Sequence, residues 1–297
     1  MSALTQGTAT PRGGPSTRRS VTDVVARVAM WSAFFLACVP LVWILGSTIL
    51  KGGHMLLDSG WWTNSQNGIT ARRVGGGAAH AIQGTLIQAV VTAAISVPIG
   101  VLTAIYLVEY GRGPVARLVS FMVDILTGIP SILAALFIYA LWVTTFGFQR
   151  VPFAVTLALA MLMIPTIVRS TEEMLKLVPK DYREASYALG VPKWRTIVKV
   201  VLPTAFSGIV TGILLGLARV MGETAPLIIL GPYAKSISHN LFDGLMGTLP
   251  TMINQDRAES LQPAVDRVWG AALTLILLIF LLNLAGRLVS RFSTVRA

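Results

Sequence analysis

Apolar residues run along this chain in blocks far longer than the core of a soluble domain requires, and charged residues collect in the gaps. A helix needs about 20 predominantly apolar residues to cross a bilayer. Six blocks reach or approach that length: roughly Val28 to Leu50, Ala81 to Val108, Leu118 to Phe148, Val151 to Val168, Pro203 to Leu230, and Val268 to Leu284. The pattern predicts an all-α integral membrane protein with six transmembrane helices. The third and fourth blocks are separated only by the short break GFQRVP, from Gly147 to Pro152.

The gaps divide the chain. The first twenty residues, MSALTQGTATPRGGPSTRRS, are rich in Gly, Pro, Ser, Thr and Arg and cannot bury a core. The division expected is a disordered tail over 1–23, a transmembrane domain over 24–290 and a short tail over 291–297. The first apolar block is too long for the h-region of a signal peptide, and no small-residue cleavage site follows it closely. Two gaps on one side are long. Residues 51–80 carry Trp61 and Trp62, expected as an interfacial anchor, and the flexible Gly75-Gly76-Gly77. Residues 231–264 carry Asp243, Asp256, Glu259 and two amphipathic pieces. Either gap docks a partner or packs on the spans; the sequence leaves both open.

Composition agrees with the pattern. Of 297 residues, 54% are hydrophobic and 12% charged, against about 25% charged in soluble domains; the mean hydropathy is +0.70. The net charge of +11 matters through its sidedness, because Lys and Arg concentrate in cytoplasmic loops. With the N-terminus inside, 15 Lys and Arg fall inside and 7 outside, so both termini are expected in the cytoplasm. A basic balance of this origin gives no reason to expect nucleic acid as a partner. The single cysteine, Cys38, excludes an intramolecular disulfide and a cysteine-based metal site. His54, His80 and His239 are scattered, without metal-ligand or Ser-His-Asp spacing, so intramembrane enzyme chemistry has no support.

One gap is more ordered than a connection needs to be. EASYALGVPKWRTIVKVVLP, from Glu184 to Pro203, lies between the fourth and fifth blocks. Pro179, then Asp181 with Glu184 three residues on, is a capping-box pattern that predicts a helix from Asp181. Tyr182, Ala185 and Leu189 share one face of it. Gly190 stops this helix and Pro192 enforces a turn. A second helix is expected with Trp194, Ile197, Val198, Val201 and Leu202 at helical spacing. Two short helices on a glycine turn make a compact knob; the competing reading is an amphipathic segment lying on lipid headgroups.

Charges also stand inside the blocks. In the fifth, Gly208, Gly212 and Gly216 form a small-xxx-small stripe that admits another helix. Arg219 and Glu223 follow close to that face. A charge at mid-bilayer costs roughly 2.5–3.5 kcal/mol on insertion scales, so the two are expected to face protein. They form either a structural ion pair or part of an anion path, with the Arg219 fork of donors receiving an oxyanion and Glu223 orienting it. Arg169 closes the fourth block and either snorkels to the interface or joins the path. Asp124, in the third block, is read as structural.

The stretch from Glu184 resembles the coupling loop of ABC-importer permeases: Glu184, the small pair Ala185 and Ser186, three residues, Gly190, nine residues, Val200, one residue, then Leu202 and Pro203. Ser186 and Val200 stand where Ala and Ile are usual. VRSTEEMLKLVPKDYREASYALGVPKW, LARVMGETAPLIIL, GGGAAHAIQGTL and NLFDGLMGTLP look like PstA-type permeases of phosphate-specific ABC importers, over roughly residues 25–290. The resemblance implies a type I importer (MetI-like) fold with a coupling loop over 180–203. It implies inorganic phosphate as substrate and a bacterial plasma (inner) membrane location. It also implies a sister permease of PstC type, two copies of an ATPase of PstB type and an extracytoplasmic binding protein of PstS type. ATP and Mg would be bound by the ATPase, since this chain has no G-x-x-x-x-G-K-[ST] loop. The alternatives are a permease for sulfate or molybdate and, in another class, a stand-alone channel or secondary carrier, which would leave the knob unexplained.

Overall fold

The computed structural model describes residues 17–231 and 233–294. Of the expected tail over 1–23, residues 1–16 lie outside the described residues and Thr17 onward belongs to the first helix. At the other end the last helix runs to Thr294, and 295–297 lie outside.

Residues up to Ile49 form one unit, consisting of most of α1 (Thr17–Leu57). From Val21 to Leu45 its side chains are exposed almost throughout, and Trp31, Phe34 and Phe35 contact one another as rings. A helix that is apolar all round requires a protein core or lipid, not water.

The second unit begins at Leu50. It comprises α2 (Ser59–Thr63), α3 (Ala79–Ile105), α4 (Gly113–Gly128), α5 (Ser131–Tyr139), α6 (Pro152–Leu177), α7 (Lys180–Ala188), α8 (Lys193–Thr196), α9 (Leu202–Met221), α10 (Ala225–Leu230), α11 (Leu249–Asp256) and α12 (Gln262–Thr294). No strand occurs among the described residues. Helix α6 is the central post, packed against α3, α9, α5 and α4, while α12 packs on α9 and α11. One apolar cluster joins Ala135, Ala158, Met163, Ile167, Val220 and Leu230. A second joins Ala104, Val123, Val168, Leu175, Val201 and Ile209 nearer α7.

Five helices are long and apolar enough to cross a membrane: Val21–Leu57, Ala79–Tyr110, Pro152–Leu177, Lys193–Met221 and Gln262–Leu288. The third expected span is not one helix. Gly113–Gly128 and Ser131–Thr145 meet at a 107° bend. Pro130 has no N–H to donate, and its ring disfavours helical backbone at the preceding residue; Ile129 accordingly has ψ 124°. Counting this bent pair as one span restores six. The break at Gly147 to Pro152 separates it from α6 as expected.

The fourth and fifth spans have other limits than the apolar blocks suggest. The fourth continues past Val168 to Leu177, so Arg169 lies within the helix rather than closing it. The fifth ends at Met221, where Gly222 caps it, and α10 is a separate short helix. It also begins earlier: α8 passes through a π-helical turn, Ile197–Val201, directly into α9. Pro203 cannot donate to the carbonyl four residues back. The widened turn before it pairs Leu202 N–H with the Ile197 carbonyl, five residues back.

Candidate functional site

The knob is built as two limbs. Helix α7 starts at Lys180, one residue earlier than expected, behind Pro179 as N-cap, and no side-chain capping bond forms. The capping-box expectation is therefore corrected: proline occupies the capping position, and it has no side-chain acceptor. Gly190 has φ +74°, the left-handed conformation that ends helices and that glycine adopts without penalty. Its N–H donates to the Tyr187 carbonyl, and Val191 N–H to the Ser186 carbonyl. The buried Ser186 and Thr196 hydroxyls bond at 2.8 Å and staple α7 to α8. A small residue at 186 is thus a packing requirement of the knob. Ile197 and Val201 are buried, whereas Tyr182, Leu189 and Trp194 stand exposed. The second limb is not a free helix; Leu202 and Pro203 belong to the first turn of α9.

The glycine stripe on α9 packs against α6 of the same chain. A Cβ on Gly208 would collide with Met174, and one on Gly212 with Ser170; one on Gly216 would sit 3.4 Å from Met163. The helix that this stripe admits is therefore α6 of the same chain. Arg219 lies about 60° round the helix from Gly216, and its side chain is 56% exposed in the isolated chain. Glu223 lies beyond the end of the helix, so no helical face relates it to Gly216. It approaches Arg219 nonetheless, with Nε to Oε1 at 3.6 Å, longer than a hydrogen bond. Among the described residues Glu223 is the one ionic partner of Arg219.

Arg169 is engaged through both of its terminal nitrogens. Its Nη1 donates to Glu172 Oε2 at 2.6 Å, and its Nη2 reaches the Ser120 carbonyl at 3.3 Å and hydroxyl at 3.2 Å. Nη2 also pairs with Asp124 Oδ1. Glu172 Oε1 accepts in turn from Lys176 at 2.8 Å. This network ties α4 to α6, and it gives Asp124 an ionic partner. Glu172 went unmarked in the sequence, although it stands three residues after Arg169 and four before Lys176, the spacing at which helical side chains meet. The antiparallel contacts set the heights: Ser170 is level with Gly212, and Arg219 is seven residues further along α9, about 10 Å at 1.5 Å per residue.

At the end of α9 away from the knob, an open groove of about 470 Å³ is lined by Ile132, Thr224, Ala225, Ile228, Ile253, Asn254 and Arg257, among others. Behind it the two long gaps hold each other. Buried Asp256 accepts from Arg267 Nε at 3.1 Å and Gln66 Nε2 at 3.0 Å. Tyr233 donates to Gln66 at 2.6 Å and meets His80 at 2.9 Å. Burial, and then the Asp256 carboxylate, push the Tyr233 phenol above its ordinary pKa, so it stays a neutral donor. Trp61 is fully buried and donates to Thr274 at 2.9 Å, so it is a core residue and not the expected interfacial anchor. Trp62 is 42% exposed.

Apolar helices of membrane-spanning length packed round a central post define an integral membrane protein, and comparison with known proteins gives its class. The family of binding-protein-dependent transport system inner membrane components matches residues 96–294. The phosphate transport system permease protein PstA 1 of Mycobacterium tuberculosis is 50% identical over 279 residues, which is 94% of this chain and 92% of that one. PstA of Mycobacterium leprae is 51% identical over 91% of this chain and 89% of its own length. PstA of Yersinia pestis is 37% identical over 89% and 88%. The chain belongs to the inner membrane components of binding-protein-dependent transport systems and, within them, to the PstA-type permeases. The fold is shared with solved transporters at low identity. The inward-facing MetNI methionine ABC transporter has TM-score 0.60 at 22% identity, over 71% of this chain and 93% of that one. A bacterial alginate ABC transporter has TM-score 0.62 at 15%, over 92% and 98%.

Proposed function

We propose that this chain forms half of the membrane passage of an ATP-driven phosphate importer and transmits the motion of a separate ATPase to that passage. The observation that carries the substrate is the 50% identity with a phosphate permease over 94% of the chain. In this reading the chain is a multi-pass protein of the bacterial plasma membrane with the knob and both termini in the cytoplasm. It pairs with a sister permease of PstC type, docks two ATPase copies of PstB type, and receives phosphate from an extracytoplasmic protein of PstS type. ATP and Mg2+ bind the ATPase, and this chain catalyses no reaction.

The knob supplies the docking element: Glu184, Ala185, Ser186 and Gly190 shape it, and Leu202 and Pro203 hand its motion to α9. Phosphate entering a low-dielectric passage loses hydration and needs replacement donors. Arg219 offers a planar fork that a lysine ammonium does not, and Glu223 keeps it turned toward the passage. The height difference supports an order along the passage, Arg219 first and Arg169 nearer the cytoplasm. Arg169 stays bound by Asp124, Glu172 and Ser120 and holds the helices that line the passage; direct contact with phosphate would require Asp124 or Glu172 to release it.

The test is phosphate uptake in a strain lacking its own permease, with co-purification of the ATPase. The wild-type chain restores uptake and retains the ATPase. Gly190→Val inserts normally but loses at least about tenfold of uptake, because a β-branched residue in the left-handed region costs about 1–2 kcal/mol or more and the turn must change. Normal transport by Gly190→Val would defeat the coupling reading. Restoration of sulfate or molybdate uptake instead of phosphate would reassign the substrate.

A further inference from the structure

The knob is fastened to the spans by more than its own chain ends. Arg183 on α7 donates from Nε at 3.1 Å and Nη2 at 2.8 Å to Oε1 of Glu109. Its remaining capacity goes to the carbonyls of Val178 at 2.7 Å and Leu175 at 3.0 Å. The pair is secluded, with Glu109 6% and Arg183 15% exposed. Lys193, the first residue of α8, donates to the main-chain carbonyl of the same Glu109 and lies 4.6 Å from the centre of the Tyr110 ring. Both limbs of the knob therefore grip one short element, the π-helical turn Tyr106–Tyr110 that ends the second span.

Chain continuity already gives the knob one route into the membrane, through α8 and its widened turn into α9. The grip on Glu109 gives it a second. Helix α3 packs along α6, which carries Arg169. A displacement of the knob thus reaches α9 from one limb and α3 from both. A secluded charge pair is suited to transmit it: charge-assisted hydrogen bonds are short and strong, and two N–H groups of one guanidinium converging on Oε1 fix direction as well as distance.

We propose that Glu109 is a positioning residue for coupling, the strut through which motion of the knob is imposed on the second span. The proposal rests on the reading of the knob as the ATPase docking element and adds a named load path to it. Without Glu109 the knob still docks and still moves α9, but α3 no longer follows. ATP is then hydrolysed without proportionate transport.

The experiment uses the whole complex, with sister permease, ATPase and binding protein, in proteoliposomes. ATP hydrolysis stimulated by phosphate-loaded binding protein and phosphate uptake are measured on the same sample. Glu109→Gln keeps the shape and one acceptor but loses the charge; it retains wild-type amounts of ATPase and lowers phosphate imported per ATP about tenfold, the scale of one charge-assisted hydrogen bond. Glu109→Asp, with the charge on a shorter stem, recovers part of that ratio. If hydrolysis and uptake fall together in Glu109→Gln with their ratio unchanged, Glu109 is only a structural tie and the proposal is overturned. Loss of the ATPase from the Glu109→Gln complex overturns it as well. Failure of the wild-type chain to retain the ATPase is a different result, and it removes the docking reading on which the strut depends.

Discussion

Arg169 and Arg219 are both guanidinium groups carried by apolar helices, and their surroundings differ sharply. Arg169 is bound by Glu172, Asp124 and both oxygens of Ser120, and it is 30% exposed. Arg219 is 56% exposed and has one ionic partner among the described residues, at 3.6 Å. An arginine with both terminal nitrogens bound across two helices fastens them. An arginine with an open fork at the surface of a single chain has donors left for a group outside it. A charge within an apolar stretch is thus not by itself a sign of a transport site; whether its donors are satisfied within the chain separates the two cases.

The sharpest separation is expected at Arg219. Two charge-assisted hydrogen bonds to phosphate are worth roughly 3–6 kcal/mol together. Arg219→Ala is therefore expected to lower phosphate uptake per assembled complex at least about 100-fold, at about 1.4 kcal/mol per tenfold. Arg219→Lys keeps the charge but not the fork, and about tenfold of uptake is lost. The contrary case is an ion pair with Glu223 that only fastens, which a matched apolar pair can replace. Arg219→Leu with Glu223→Leu decides between them: the double variant remains defective if Arg219 serves the anion. Normal transport by it would make Arg219 a second Arg169, and the contrast would vanish.

What the sequence made legible here follows from range. Span lengths are local, so six apolar blocks and the glycine turn at Gly190 were readable. Stops inside apolar blocks were harder, because apolar composition masked the Gly128-Ile129-Pro130 bend and the Gly222 cap. The Asp181–Glu184 spacing suggested a capping box, but Pro179 took the capping position. The stripe of Gly208, Gly212 and Gly216 announced a close helix without saying which; it is α6. Partners far apart were not legible at all. Arg169 meets Asp124 across 45 residues and Arg183 meets Glu109 across 74, and no periodicity relates residues on different helices. Hence Arg219 and Arg169 looked alike in the sequence and differ in the fold.

A smaller effect, of another kind, is expected at Glu172. Its side chain is 12% exposed and serves Arg169 and Lys176 together. Glu172→Gln keeps one acceptor but leaves two cations undercompensated, a loss of about 1–3 kcal/mol. The purified complex should unfold at a lower temperature, while uptake per surviving complex changes far less than in Arg219→Ala. A large uptake loss with unchanged thermal stability would place the Arg169 network in the transport path.

The smallest effect is expected at Asp124. Its side chain is 64% exposed in the isolated chain, and exposed ion pairs contribute only about 0–1 kcal/mol. Asparagine keeps a carbonyl oxygen where Arg169 now finds Oδ1, and Arg169 retains Glu172 and Ser120 whatever happens at 124. Asp124→Asn is therefore expected to leave uptake within about twofold of wild type, with little change in thermal unfolding. The measurement is phosphate uptake normalised to assembled complex, run beside Arg219→Ala in the same membranes. A loss at Asp124→Asn as deep as that at Arg219→Ala would mean that the Asp124–Arg169 contact must carry charge to work. Arg169 would then be a gate residue whose release is part of each transport cycle, and filled donors would no longer separate a fastener from a transport site.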